Sequence, residues 1–132
     1  MGENRQKNMT ELQMALFGLH GDPAISKALV RVVSSQFKVE KVADVEQMLA
    51  RCRQTHYGFY VMDLNFGQEA ALNISPAQTV YQLLREQKIQ GLERKFIGVS
   101  SSVEVVELAQ QCSIPAILKP VFGEYFSGLF PR

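Results

Sequence analysis

Short apolar runs alternate along this chain with longer segments of helical periodicity. Four of the runs are continuous and three to six residues long, which is typical of buried parallel strands. They are Met14–Leu19, Phe59–Met62, Phe96–Val99 and Ala116–Leu118. A fifth, Phe37–Val42, alternates apolar and charged residues, as an edge strand with one solvated face does. The pattern therefore predicts five strands.

Each apolar run is followed by residues at helical spacing. Asp22 is placed to cap the first helix, which begins at Pro23. Capping-box patterns open two later helices, at Ser75 (Ser-Pro-Ala-Gln) and at Ser101 (Ser-Ser-Val-Glu). The apolar stripes of the first four helices are Ile25, Leu29, Val32 and Val33; Val45, Met48, Leu49 and Cys52; Ala77, Val80, Tyr81 and Leu84; and Val105, Val106 and Ala109. The fifth helix is short and lies within Val121–Phe130. Five strand–helix units predict an α/β fold, a doubly wound parallel sheet with five helices.

Composition and charge narrow the class of protein. The 132 residues carry 14 Lys and Arg against 13 Asp and Glu, a formal charge of +1, and 46% of them are hydrophobic. We expect a loose leader at 1–10 and one packed domain at 11–132. A near-zero charge gives no field that would collect nucleic acid or anionic lipid. Secretory and membrane-spanning patterns are absent from the sequence, and its two cysteines form no metal or disulfide pattern, which favours a reduced cytoplasmic setting.

Polar residues at the ends of the predicted strands are the candidates for a functional site. In doubly wound sheets, ligands bind at the carboxyl ends of the strands. The residues at these ends are His20, Gly21 and Asp22 after the first strand, Asp63 at the end of the third, Ser100 after the fourth and Lys119 after the fifth.

Three of these motifs, in this order, resemble the receiver domains of bacterial two-component response regulators. They are Asp63 ending Phe-Tyr-Val-Met-Asp, Ser100 ending Ile-Gly-Val-Ser, and Lys119-Pro120 ending Ala-Ile-Leu-Lys-Pro. The resemblance covers residues 12–130 and implies a flavodoxin/CheY-like sheet with strand order 2-1-3-4-5.

The resemblance also implies a function and a chemistry. Asp63 would accept a phosphoryl group from a sensor histidine kinase or another signalling protein. The chain would not be an enzyme. Lys119 would neutralise charge on the transferring oxygens, and the Ser100 hydroxyl would hydrogen-bond one of them. Pro120 would follow a cis peptide bond that aims Lys119 into the pocket. A homodimer is left open.

The acidic pocket departs from the family pattern. Receivers carry two adjacent acids directly after the first strand, where they help to hold Mg²⁺, but this chain has His20 and Gly21 there. Glycine brings no ligand, and histidine is a poor partner for a hard cation. The resemblance leaves Asp63 and the backbone carbonyl of Asn65 as metal ligands, while Asp22, which is expected to cap its helix, is a poor substitute. We therefore expect weak or absent Mg²⁺ binding, slow phosphorylation and no other cofactor.

The switch region departs from the pattern as well. The position three before Lys119 is usually an aromatic residue whose rotamer reports activation, but here it is Ala116. The segment after Gly67 is longer than in the family, and the helix after Ser100 is shorter. These features favour an alternative function, a phosphorylation-independent pseudo-receiver whose partner docks on the last helices and strand.

Several interpretations of the pocket stay open on the sequence alone. Lys119 is as compatible with a permanent ion pair to Asp63, which would lock the pocket, as with sensing of a phosphoryl group. His20 is either a neutral replacement or a pH-responsive partner of Asp63. A small flavodoxin-like enzyme or ligand-binding domain is the least favoured function, because the loop after the first strand lacks a phosphate-binding pattern.

Overall fold

The computed structural model describes residues 13–66 and 72–131. The strands are β1 (Met14–Gly18), β2 (Lys38–Lys41), β3 (Phe59–Asp63), β4 (Phe96–Ser100) and β5 (Ala116–Leu118). The α-helices are α1 (Pro23–Val33), α2 (Val45–Gln54), α3 (Ser75–Glu86), α4 (Val103–Gln111) and α5 (Phe122–Leu129), with single 3-10 turns at Leu92–Arg94 and Lys119–Val121. The expected leader at 1–10, and most of the lengthened segment after Gly67, lie outside the described residues.

The five strands form one parallel sheet in the order β2-β1-β3-β4-β5, which confirms the predicted fold class. The register places Gly18 of β1 opposite Met62 of β3, so the chain leaving β1 emerges beside Asp63. On the other side, Ser100 of β4 lies opposite Leu118 of β5. The residues that follow β1 therefore lie beside the end of β3, and those that follow β5 lie one strand further along, across β4.

Helices cover both faces of the sheet. Helices α1 and α5 bury Leu29, Val33, Phe122 and Phe126 on one face, and α2, α3 and α4 cover the other. Phe122 and Phe126 of the last helix thus belong to the core. The longest described helix, α3, has 12 residues, and none in this part of the chain is long and apolar enough to cross a membrane.

Asp22 caps α1 as predicted, since its carboxylate accepts a hydrogen bond from the Ala24 N–H at 2.8 Å. The cap of α4 lies one residue later than predicted, at Ser102 and not at Ser101, because the Ser102 hydroxyl accepts a hydrogen bond from the Val105 N–H at 3.4 Å. The predicted capping by Ser75 is wrong. Ser75 is the first residue of α3, and both its N–H and its hydroxyl donate to the Asn73 side-chain oxygen, at 3.0 and 2.7 Å. An Asx turn before the helix has taken the place of the capping box.

Two further expectations are corrected. Ile25, placed on the buried stripe of α1, is 37% exposed because it borders an open groove shared with Pro120, one turn before the buried Leu29. The expected cis bond before Pro120 is also wrong, since no cis peptide bond occurs within residues 13–66 and 72–131. Pro120 instead lies within the 3-10 turn Lys119–Val121, directly after β5.

Candidate functional site

The carboxyl ends of β3 and β5 bring two predicted site residues into contact. The Lys119 ammonium lies 2.8 Å from Oδ1 of Asp63. The Asp63 side chain is 3% exposed and that of Lys119 is 12% exposed, so the ion pair is largely shielded from solvent. Shielding strengthens the attraction between the two charges, but it also makes either charge costly to leave without the other.

The second carboxylate oxygen of Asp63 is held by the chain that leaves β1. The backbone N–H of His20 donates a hydrogen bond to Oδ2 at 2.6 Å, whereas the imidazole Nε2 lies 3.8 Å from the same oxygen. The imidazole is 41% exposed and lies near the Phe66 ring, with the ring centroids 5.9 Å apart and the rings tilted by 59°. The main contribution of position 20 to the pocket is therefore a backbone donor, which the sequence reasoning missed.

Both oxygens of Asp63 consequently contact hydrogen-bond donors. Oδ1 faces the ammonium of Lys119, and Oδ2 faces the amide of His20. A carboxylate that is paired with a cation and also accepts a backbone N–H is a satisfied buried group. The arrangement neutralises the pocket and fixes the orientation of the carboxylate.

Ser100 lies next to this pair in the sheet and is 8% exposed. Its hydroxyl oxygen accepts a hydrogen bond from the Ser102 N–H at 3.0 Å, which helps to turn the chain into α4. The contact uses the oxygen as an acceptor and does not use the hydroxyl proton. Ser100 is thus a local hydrogen-bonding residue in this structure.

The positions that carry acids in receivers are occupied in a different way here. Gly21 has a φ of +91°, in the left-handed region that favours glycine, so an aspartate at this position would be strained. Asp22 is exposed, and its Oδ1 is engaged in capping α1. The loop after β1 is therefore built around a glycine and a helix cap.

The donor set around Asp63 does not match the needs of Mg²⁺, which takes about six oxygen ligands. In the described part of the chain, the neighbours of its carboxylate oxygens include an ammonium and an amide N–H, neither of which can ligate a cation. Asn65 lies half-buried in the turn after β3, and its amide side chain and backbone carbonyl are oxygen groups that this turn could offer to a cation. Across residues 13–66 and 72–131, no three His, Cys, Asp or Glu side chains are grouped so that they could hold a metal ion.

The turn after Asp63 is anchored by two buried apolar side chains, Leu64 and Phe66, which are 0% and 1% exposed. Leu64 packs onto Gly98 of β4 so closely that a Cβ there would collide with it. Phe66 fills the space beside Gly18 of β1, where a Cβ would lie 2.9 Å from its ring. Gly18 and Gly98, which interrupt two buried strands, were the sequence signal that bulky side chains pack against the sheet at these points. This signal was overlooked in the sequence.

The strand order β2-β1-β3-β4-β5 is that of a flavodoxin/CheY-like α/β fold, in which an aspartate at the end of β3 is here paired with a lysine after β5. Among solved structures, the chain is similar to a candidate response regulator from Chloroflexus aurantiacus, with a TM-score of 0.57, 12% identity and coverage of 91% of this chain and 98% of that chain. It is also similar to the chemotaxis response regulator CheY4 of Vibrio cholerae, with a TM-score of 0.55, 10% identity and coverage of 90% and 99%. The chain therefore has the fold of a CheY-like receiver. No protein-family model and no curated protein matches the sequence.

Proposed function

We propose that this chain is a receiver-fold signalling module that acts through protein contacts, independently of phosphoryl transfer to Asp63. The observation that carries the proposal is the state of the Asp63 carboxylate, both of whose oxygens contact donors supplied by the chain itself. The response regulators with the same fold support a role in signalling. The partner is another signalling protein, not a nucleic acid or a membrane, and the location is cytoplasmic.

The chemistry of phosphoryl transfer explains why such a pocket is a poor acceptor. An attacking carboxylate oxygen must approach phosphorus while cations neutralise the charge on the transferring oxygens. Lys119 is one such cation, but its charge is already matched by Asp63 at 2.8 Å. Mg²⁺ normally supplies several kcal/mol of this stabilisation, and His20 and Gly21 do not provide the acids that hold it. Weak Mg²⁺ binding is thus part of the proposal.

The second candidate is a phosphate-accepting receiver that is served by a sensor histidine kinase. It is favoured by the convergence of Asp63 and Lys119 at one edge of the sheet, and by the hydroxyl proton of Ser100 that the described contacts do not use. In this case the ion pair would be the resting state, and Lys119 would follow the phosphoryl group once Asp63 had been modified.

Nuclear magnetic resonance spectra of the ¹⁵N-labelled chain, titrated with Mg²⁺ with and without beryllofluoride, distinguish the two candidates. For the interaction module, we expect weak, non-saturating shifts that are the same in wild type and Asp63→Asn. The variant His20→Asp, which adds a carboxylate beside the pocket, should bind Mg²⁺ more tightly and serves as the positive control. Saturable binding of both reagents that is lost in Asp63→Asn would overturn the proposal in favour of the phosphate-accepting receiver.

A further inference from the structure

Strand β2 is an edge strand whose outer side is unpaired in the described part of the chain. Its inner side pairs with β1, since the N–H groups of Lys38 and Val42 donate to the carbonyls of Gln13 and Phe17. Because backbone groups alternate in direction along a strand, the N–H and C=O groups of Val39 and Lys41 point away from the sheet. Such an edge is a template on which another extended segment can pair.

An apolar pocket of about 220 Å³ opens beside this edge, between the sheet and α1. Its apolar lining includes Phe17, Leu19, Val30 and Val42. The pocket has room for one branched or aromatic side chain, which a strand added to β2 would direct towards the α1 face at every second position.

The rim of this pocket is basic. Lys27 of α1 and Lys41 of β2 both line it, both are exposed, and neither has an ion-pair partner within residues 13–66 and 72–131. Lys38 is likewise exposed on the same strand. The acid of this strand, Glu40, is already neutralised by Arg51 at 2.9 Å. The edge therefore presents a surplus of positive charge next to an apolar pocket.

The acids nearest to the edge along the chain are engaged at the N-termini of helices. Asp22 and Asp44 are the N-caps of α1 and α2, and the carboxylate of each accepts a backbone N–H. Neither residue lines the pocket.

We propose that β2 and the adjoining pocket bind an extended acidic segment of a partner protein by strand addition. One apolar side chain of the segment occupies the pocket, and the acids two positions away from it face Lys27 and Lys41. An acid next to the apolar residue faces Lys38, whose side chain lies on the other face of the strand. A second copy of this chain fits less well, because its β2 edge carries the same surplus of lysines and no surplus of acids to meet them. The assignment rests on the proposed role in protein contacts. It concerns the β2 edge of the sheet. Docking of a partner on the last helices and on β5, at the other edge, stays a separate prediction.

The test uses the ¹⁵N-labelled chain and the synthetic peptide acetyl-Glu-Asp-Leu-Asp-Glu-amide. We expect saturable shifts of the Val39 and Lys41 amides, together with binding that weakens as salt is raised. Charge reversal by Lys27→Glu or Lys41→Glu should weaken binding about tenfold each, whereas the matched reversal Arg94→Glu, at the 3-10 turn before β4, should leave it unchanged. A peptide with serine in place of leucine should bind more weakly, because the pocket then holds no apolar side chain.

Three results would overturn the assignment. The first is an absence of saturable shifts at Val39 and Lys41, and the second is equal weakening by the control Arg94→Glu. The third is a concentration-dependent shift of the same amides without peptide, which would identify a second copy of the chain as the occupant. Thermal unfolding of each variant checks that its fold is intact. Asp63→Asn should leave peptide binding unchanged, so a failure at the edge is distinguishable from a failure of the proposal about the Asp63 pocket.

Discussion

Replacing Lys119 with methionine tests whether the ion pair with Asp63 stabilises the folded chain. Methionine keeps much of the length of the lysine side chain and removes its charge. The carboxylate of Asp63, 3% exposed in the folded chain, would then retain the backbone N–H of His20 as its described partner. A buried charge without its counter-ion is one of the larger single costs that a substitution can impose.

The expected magnitude follows from the geometry. Two unit charges 2.8 Å apart attract by about 6 kcal/mol at an effective dielectric constant of about 20. Desolvation of both groups offsets part of this attraction, and the removal of one partner of a buried pair costs about 3–5 kcal/mol. Because Lys119 is still 12% exposed, we expect the lower end, about 3 kcal/mol. At about 4 °C for each kcal/mol in a domain of this size, the melting temperature should fall by about 12 °C.

Urea unfolding followed by far-ultraviolet circular dichroism measures this loss, and a double-mutant cycle assigns it to the pair. In Asp63→Asn/Lys119→Met no charge is left unpaired, so the double variant should recover most of the stability that Lys119→Met loses. Arg51→Met serves as the control. It breaks the more exposed pair with Glu40, whose side chains are 52% and 26% exposed, and should cost no more than about 1 kcal/mol.

A loss for Lys119→Met that is no larger than the loss for Arg51→Met would show that the pair behaves as a surface ion pair. A double variant no more stable than Lys119→Met would show that the loss comes from packing of the lysine stem. Either result contradicts a stabilising buried pair.

The remaining predictions concern the packing below the pocket and the buried thiol. Gly98→Ala should destabilise the fold by about 1–3 kcal/mol because the added methyl collides with Leu64. Leu64→Ala in the same chain should recover part of this loss in urea unfolding. Full additivity of the two losses would contradict the contact. Cys112 is exposed, whereas Cys52 is buried and burial raises its pKa from 9.0 to about 12, so an aromatic disulfide reagent should label one thiol in the native chain and two after denaturation. Native labelling of Cys52 at the rate of Cys112 would contradict this burial. The raised pKa also means that the folded state favours the neutral thiol, so its contribution to stability is fully present below about pH 9 and is lost as pH rises towards 12. Cys52→Ala should therefore show a shallower alkaline loss of unfolding free energy, and an unchanged slope would contradict the assignment.

The main features of the fold were predictable from the sequence because buried parallel strands leave a strong pattern. Continuous apolar runs identified β3 and β4 to within one residue, and the alternation of Phe37–Val42 identified the edge strand β2. The helix start at Pro23 was predictable because an N-cap acts on the backbone of its own segment. Ser75 was harder, since two neighbouring polar residues compete to cap the same turn, and Asn73 supplies the contact.

The site was predictable where it depends on side-chain chemistry. An aspartate or a lysine after an apolar run is common, but Asp63 and Lys119 were identified because they follow buried runs in the order that receiver domains show, and the sheet does bring them together. The role of position 20 was not predictable from its side chain, because the contact with Asp63 is made by a backbone N–H that every residue except proline possesses. It depends on the parallel register of β1 and β3, which places Gly18 opposite Met62.

The pocket has two separate properties, the oxygen ligands that it offers to a cation and the contacts that hold the Asp63 carboxylate. The sequence suggested that both depend on the acids missing after β1. The loss of acids after β1 concerns which ligands a cation would find, and His20→Asp changes that property directly. The hold on Asp63 depends on the His20 backbone N–H and the Lys119 ammonium, neither of which that substitution removes. A carboxylate restored at position 20 should therefore raise Mg²⁺ affinity without releasing Asp63, because metal binding requires oxygen ligands whereas release of the carboxylate requires removal of Lys119.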